Sequence, residues 1–171
     1  KIDLTWARAL RSIRRQNPDV IMIGEIRYRE TAEIAVNASL TGHLVLSTLH
    51  TNDAAGAPTR LIDMGIEPFL VASSLLGIIA QRLVRKVCLK CREPYEPTDV
   101  ELEELLLKRN EVQDATFFRA KGCASCSGSG YSGRTVVHEL MIIDDDIRAM
   151  IVKSLDSASV KKKAVERGMI T

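Results

Sequence analysis

Four cysteines, arranged as Cys88-Leu-Lys-Cys91 and Cys123-Ala-Ser-Cys126 with none left over, constrain this chain more than any other feature. A CxxC turn lets two thiolates reach one tetrahedral metal ion at about 2.3 Å each, and two such turns complete a closed structural zinc site. A redox CxxC or two unrelated surface pairs are the alternatives, and the even count favours one shared site. No basic-then-apolar leader opens the chain. A reducing compartment is therefore expected, which argues against two disulfides. The 31 residues 92–122 between the pairs exceed the roughly 15–20 of a compact zinc ribbon. Arg85, Lys86, Lys90 and Arg92 flank the first pair and are expected to offset the thiolate charge and lower the thiol pKa values.

The rest of the chain must bury a core without help from the cysteines. It has 171 residues, 46% hydrophobic and 27% charged, enough for about one domain and too apolar for disorder. Its 24 basic and 22 acidic residues leave a formal net charge of +2. That balance gives no general case for nucleic acid or an anionic membrane. One Trp, three Tyr and three Phe are too few and too scattered for a base-stacking platform. The longest apolar stretch, Phe69 to Ala80, is interrupted by Ser73, Ser74 and Gly77 and is too short to span a bilayer. The chain opens at Lys1 without a Met, so it reads as a piece of a longer protein, not secreted or anchored by its own sequence.

Residues 1–84 alternate helical and strand patterns. Thr5 is placed to cap a helix with Trp6, Leu10 and Ile13 on one face and Arg8, Arg11 and Arg15 on another, ended by Asn17-Pro18. Val20–Ile23 is continuously apolar, as a strand buried on both faces reads, and Leu44–Leu49 reads as a second buried-strand run. Between them, Glu30–Leu40 predicts a helix with Ala32, Ala35, Val36 and Leu40 inward and Gly42 as terminator. Asn52 or Asp53 caps a further helix toward Met64 and Gly65, in which Pro58 should kink or delay the start. Another helix is expected from Pro68 to about Ile79. This alternation argues for an α/β fold with a parallel sheet. Beyond it, Thr98 and Glu101 form a capping box for a helix to about Arg109, Thr135–Val137 reads as a short strand, and Asp144–Lys153 and Ser157–Arg167 as amphipathic helices.

Two segments invite a phosphate-binding reading. Gly128-Ser-Gly-Tyr-Ser-Gly133-Arg134-Thr135 scans as a near Walker A, but a CxxC precedes it and a β-branched strand follows, where a phosphate cradle needs a strand before and a helix after. It is read as the turn of a zinc-knuckle hairpin; its CxxCxGxG start is similar to the zinc repeats of DnaJ chaperones, in one copy only. Ile21-Met-Ile-Gly-Glu25 is the better candidate, since an apolar strand ending in an acid places a carboxylate at the carboxyl edge of a sheet, where ligands bind. His43 and His50 bracket the next strand.

Taken together these motifs resemble a known family. Thr41-Gly-His-Leu-Val-Leu-Ser-Thr-Leu-His50-Thr-Asn is similar to the His box of the type II/IV secretion traffic ATPases, and Gly24-Glu-Ile-Arg27 to their Walker B. Leu10–Asp19, Ala80–Arg85, the tetracysteine pattern and Gly130–Thr135 also look like that family, across essentially the whole chain. The four cysteines set it apart from the retraction-type pilus motors, leaving a secretion motor or a pilus-assembly motor. His138-Glu-Leu-Met followed by Ile-Ile-Asp-Asp looks more like the secretion version. Tyr28 stands where the family usually has Asp, and Pro58 is unusual at its position.

The resemblance implies the carboxyl-terminal part of a RecA-like P-loop core at 1–86, a zinc-binding subdomain at 87–138 and a helical segment at 139–171. It implies an ATP-hydrolysing homohexamer that assembles a pilin-like filament, taking Mg²⁺ with ATP and holding structural Zn²⁺ on Cys88, Cys91, Cys123 and Cys126. Glu25 and His50 would be catalytic. Arg27, His43, Thr48, Arg8 and Arg11 would lie near the nucleotide or an interface. The partners would be an inner-membrane platform and a cytoplasmic adaptor, with the motor peripheral at the inner face of the bacterial inner membrane. A true Walker A is not found within these residues, so activity of this stretch alone is not expected. A zinc-stapled protein- or RNA-binding module is the reading of another class, against which the charge balance, sparse aromatics and alternating strands count.

Overall fold

A computed structural model describes residues 6–154 and 156–171. In chain order the elements are α1 (Trp6–Arg14), β1 (Val20–Ile23), α2 (Arg29–Leu40), β2 (Leu44–Ser47), α3 (Gly56–Asp63), α4 (Pro68–Ser74), β3 (Gly77–Val87), β4 (Glu93–Tyr95), α5 (Asp99–Glu104), β5 (Phe117–Arg119), β6 (Tyr131–Ile142), α6 (Asp145–Val152) and α7 (Ser157–Glu166). They form two compact units, one of residues up to Gln81 with His138–Thr171, the other Arg82–Val137. Thr5, expected as a helix cap, lies outside the described residues. No described helix is long and apolar enough to cross a membrane.

The first unit is built on a βαβ element. β1 and β2 pair in parallel, Val20 opposite Leu44 and Ile23 opposite Ser47. Parallel partners need a crossover, and α2 provides it. α2 packs through Thr31, Ala32, Ala35, Val36 and Ala38, a mostly small-residue face that lets the helix approach closely. Leu40, expected inward, is exposed because it sits at the helix's last residue, beyond the packed face. The core joins Ile21 and Ile23 to Leu61, Val71, Met141, Ile147, Ile151 and Val160, so β6, α6 and α7 pack with the first strand. Each fully buried aliphatic side chain stabilises by about 1.5–3 kcal/mol.

The structure corrects several expectations. β1 alternates instead of being buried on both faces: Ile21 and Ile23 point inward while Val20 and Met22 are exposed, Met22 at 77%. Leu44 and Leu46 lie exposed on β2 as well, since nothing among the described residues covers that face. The Pro68 helix stops at Ser74, and Gly77 begins a strand paired with β6. The apolar run was long enough to read either way; Gly77 with β-branched Ile78 and Ile79 favours the extended form once a partner strand exists. β6 is correspondingly longer than Thr135–Val137. Of the two outcomes expected at Pro58, the delay holds and the kink does not: α3 starts at Gly56, beyond Asn52 and Asp53, so Pro58 lies in the first turn, where its missing N–H has no intrahelical partner to lose.

In the second unit β4 and β5 pair antiparallel, Glu93 opposite Arg119 and Tyr95 opposite Phe117. The Thr98–Glu101 capping box forms as expected. α5, however, ends at Glu104 rather than near Arg109, because Leu106 turns left-handed at φ 56°. Arg109 instead donates to Asp99 Oδ1 and to the Pro97 carbonyl.

Candidate functional site

The carboxyl ends of β1 and β2 are tied side by side beyond the ladder itself. Thr48 Oγ1 donates to the Gly24 carbonyl at 2.7 Å, and the Ile26 N–H donates to the Thr48 carbonyl at 3.0 Å. Those two bonds bring the residues that follow each strand together. Glu25 Oε2 accepts from Arg27 Nε at 2.6 Å and lies 3.3 Å from His50 Nε2. The Arg27 guanidinium holds the Glu25 carboxyl below the usual carboxylate range, with His50 adding to the effect, while burial opposes it. Glu25 raises the Arg27 pKa in return. The result is an ionised carboxylate at a sheet edge, 39% exposed, with the Arg27 guanidinium and the His50 ring nitrogen both on one oxygen. Chemically it can accept a hydrogen bond or a proton from water.

The other expected site residues divide. His43 stands at the opposite end of β2, where Nδ1 lies 3.1 Å from the Ala38 carbonyl and closes the end of α2. It is not brought to Glu25. Arg11 pairs with Glu30 on α2 at 2.9 Å, and Arg8 lies exposed on α1. Three residues that sequence reasoning left without a site role gather at the loop that follows His50. Asp53 Oδ1 accepts from the Gly56 N–H, Glu139 Oε1 accepts from the Ala54 N–H, and Lys161 Nζ approaches both carboxylates. The one available signal was a carboxylate at 139 inside the apolar run 136–143.

The four cysteine sulfurs converge, all within 4.8 Å of one another. Cys126 Sγ is 3.8 Å from the sulfurs of both Cys91 and Cys123. Four thiolates around one ion at about 2.3 Å require sulfur separations of about 3.8 Å, so the cage has the size of a tetrahedral metal site. Each CxxC folds back on the carbonyl of its first cysteine: the N–H groups of Cys91 and Arg92 donate to the Cys88 carbonyl, and those of Cys126 and Gly128 to the Cys123 carbonyl. The Cys88 N–H donates to the Gly130 carbonyl at 2.9 Å, joining the two turns. Gly130, at φ 75°, cannot be replaced cheaply, since a Cβ there would meet Ala120 Cβ at 2.6 Å.

Thiol acidity is set differently from expectation. N–H bonds from Cys123 and Gly130 lower Cys126 to about 6 against its burial, whereas burial pushes Cys91 up to about 11. The neighbouring cations are engaged elsewhere: Arg85 stacks over Tyr131, Arg92 over Phe118, and Lys90 donates to Ser125. Gly128–Thr135 runs from the second CxxC into β6, so no helix N-terminus follows it. A phosphate cradle is not built there.

Comparison with known proteins follows the same lines. The family described as "Type II/IV secretion system protein" matches residues 1–171. The "Type II secretion system protein E" of Pseudomonas aeruginosa is 60% identical over 151 residues, 88% of this chain and 30% of that protein. The "Type IV pilus assembly ATPase PilB" of Thermus thermophilus is 51% identical over 168 residues, 98% of this chain and 19% of that protein. The chain therefore spans under a third of the length of these two relatives. Among solved structures, the pilus retraction motor PilT with bound ADP superposes with a TM-score of 0.58 at 27% identity, covering 98% of this chain and 41% of that one.

Proposed function

Because the chain belongs to the type II/IV secretion system protein family, we propose that it is part of a longer hexameric ATPase that couples ATP hydrolysis to assembly of a pilin-like filament for type II secretion. Glu25, held ionised at the carboxyl end of β1 against His50 at the end of β2, is the observation that carries this reading. Residues 1–86 serve as part of a RecA-like ATPase core, 87–138 as a zinc-binding subdomain and 139–171 as a helical segment completing the core.

Glu25 orients the attacking water and takes its proton. Arg27 and His50 both occupy Oε2, which leaves Oε1 for the water. Thr48 fixes the Gly24 backbone from which Glu25 projects. Mg²⁺, taken up with ATP, would supply positive charge that offsets the charge of the phosphates. Zn²⁺ suits the four-sulfur cage, which offers soft ligands and no open position. Bound there by Cys88, Cys91, Cys123 and Cys126, it is a cross-link and not a reactant. The motor works at the inner face of the inner membrane with a platform protein and a cytoplasmic adaptor. Pilus assembly is the second reading, favoured by the 51% identity to a pilus assembly ATPase across nearly the whole chain.

Calorimetric titration with magnesium-ATP tests the assignment. The complete protein is expected to bind and hydrolyse ATP. The 171-residue stretch is expected to do neither below about millimolar, since the backbone amides and Lys of a Gly-rich loop are needed to neutralise the β- and γ-phosphates. Tight binding by the stretch alone that Arg134→Ala abolishes would overturn the dismissal of Gly128–Thr135.

A further inference from the structure

The loop that follows His50 is held from a distance. Thr51 Oγ1 donates to the Asp53 carbonyl at 3.0 Å, Gly56 N–H to Asp53 Oδ1 at 2.9 Å, and Ala54 N–H to Glu139 Oε1 at 2.6 Å. Ala54 and Ala55 are fully buried, so the loop is packed as well as bonded. Glu139 comes from β6 and is only 9% exposed. A carboxylate buried to that degree is costly unless a cation and hydrogen bonds compensate it.

That cation is Lys161 of α7. Its Nζ lies 3.3 Å from Asp53 Oδ2 and 3.7 Å from Glu139 Oε2. Each carboxylate thus uses one oxygen on a loop N–H and turns the other toward the same ammonium. Remove the ammonium and two like charges face each other across the loop, which favours moving the loop or protonating one acid. The loop begins at the residue whose imidazole meets Glu25.

We propose that Lys161 is a positioning residue for the Glu25–His50 pair, clamping Asp53 and Glu139 so that the placement of helix α7 is transmitted to His50. The inference rests on the reading of Glu25 and His50 as nucleotide-site residues. It gives the chain's last helix a route to the site: two ion pairs and one loop, spanning positions 161, 139, 53 and 50. Displacing α7 lengthens the ion pairs, frees the loop and lets His50 leave the Glu25 carboxylate.

The test uses the complete protein with Lys161→Met, Lys161→Gln and Lys161→Arg, each alone and combined with His50→Ala, alongside Glu25→Gln. Nucleotide affinity and steady-state turnover are measured on each variant that retains the wild-type melting profile and oligomeric state. Lys161→Met and Lys161→Gln are expected to lower kcat roughly tenfold or more while affinity changes less than about threefold, as small misplacements of a reacting group do. Lys161→Arg is expected to recover most of the loss. In the His50→Ala background, Lys161→Met is expected to cost little further, since both act through one contact. Unchanged kcat in both neutral variants overturns the proposal, and so do equal losses with and without His50. Glu25→Gln separates the two levels. If it abolishes turnover while both neutral Lys161 variants leave kcat unchanged, the positioning role alone fails. If Glu25→Gln leaves turnover intact, the site reading fails and takes the positioning role with it.

Discussion

Glu25 is the residue on which the chemistry turns, and its neighbours set its acid–base behaviour. Arg27 is the larger of the two influences that depress its pKa. A depressed carboxyl pKa means the pairing is intact above the ordinary carboxylate range and is lost as pH falls through the lowered value. Replacing Arg27 with Ala removes that influence, so the acidic limb of the turnover–pH profile of the complete protein is expected to move to higher pH. An acidic limb that stays in place would show that Arg27 does not govern Glu25. Glu25 was legible in the sequence because an acid directly after an apolar strand has a defined place in a parallel α/β sheet. Its contact with His50 was not legible; the resemblance implied only that both residues are catalytic. Asp53, Glu139 and Lys161 were illegible as a group because their contacts join positions 85 and 108 residues apart, and no local period records such pairs.

Helix ends show how much local chemistry decides. α2, α3 and α7 close with Gly42, Gly65 and Gly168 at positive φ, each followed by an N–H reaching back to a carbonyl in the last turn. α5 closes the same way, Leu106 N–H to the Glu103 carbonyl and Leu107 N–H to the Leu102 carbonyl, but with a leucine at φ 56°. That side chain is 88% exposed, so almost no burial offsets its strain. Leu106→Gly is therefore expected to raise stability by about 0.5–1 kcal/mol, read from chemical denaturation; an unchanged or lower midpoint would refute it. The stops at Gly42 and Gly65 were readable in advance. The early end of α5 was not, because Leu105-Leu106-Leu107 reads as helix by propensity. Caps show the opposite sign. Asp144 and Asp156 accept N–H bonds from Ile147 and Ser159; the Ile147 N–H is the chief cause of the lowered Asp144 pKa, and the Ser159 hydroxyl, then its N–H, of the lowered Asp156 pKa. Their contribution is present above the ordinary carboxylate range and lost as pH falls through the lowered values. Asp144→Ala should cost about 1 kcal/mol at neutral pH and less in acid, measured by thermal melts across pH. An equal cost in acid would remove the cap from the account.

Across the whole chain, two kinds of cohesion coexist. The unit of residues up to Gln81 with His138–Thr171 is held by an apolar core, whereas Arg82–Val137 buries few apolar side chains, Cys88, Pro97, Leu102 and Cys126. A metal at the four cysteines would dominate the second unit, since structural zinc contributes on the order of 10–16 kcal/mol of apparent binding energy in small fingers at neutral pH. Chelation is expected to release amide-exchange protection across 88–133 while the first unit keeps its own. Metal analysis of freshly purified, reduced protein should find one zinc per chain; no zinc would contradict the assignment. The α/β alternation and the cysteine cage were both readable in the sequence, the first from hydrophobic period and the second from spacing. The exposed face of β1 and β2 was not, because continuous apolar strands announce burial that this stretch alone does not complete. The account as a whole stands or falls on Glu25. Nucleotide binding and steady-state ATP hydrolysis of the complete protein carrying Glu25→Gln test it most directly. Affinity within a few-fold of wild type with turnover reduced by about 10²–10⁴ is the predicted result. Turnover within a factor of about two of wild type, where that general-base contribution should have been lost, would contradict it.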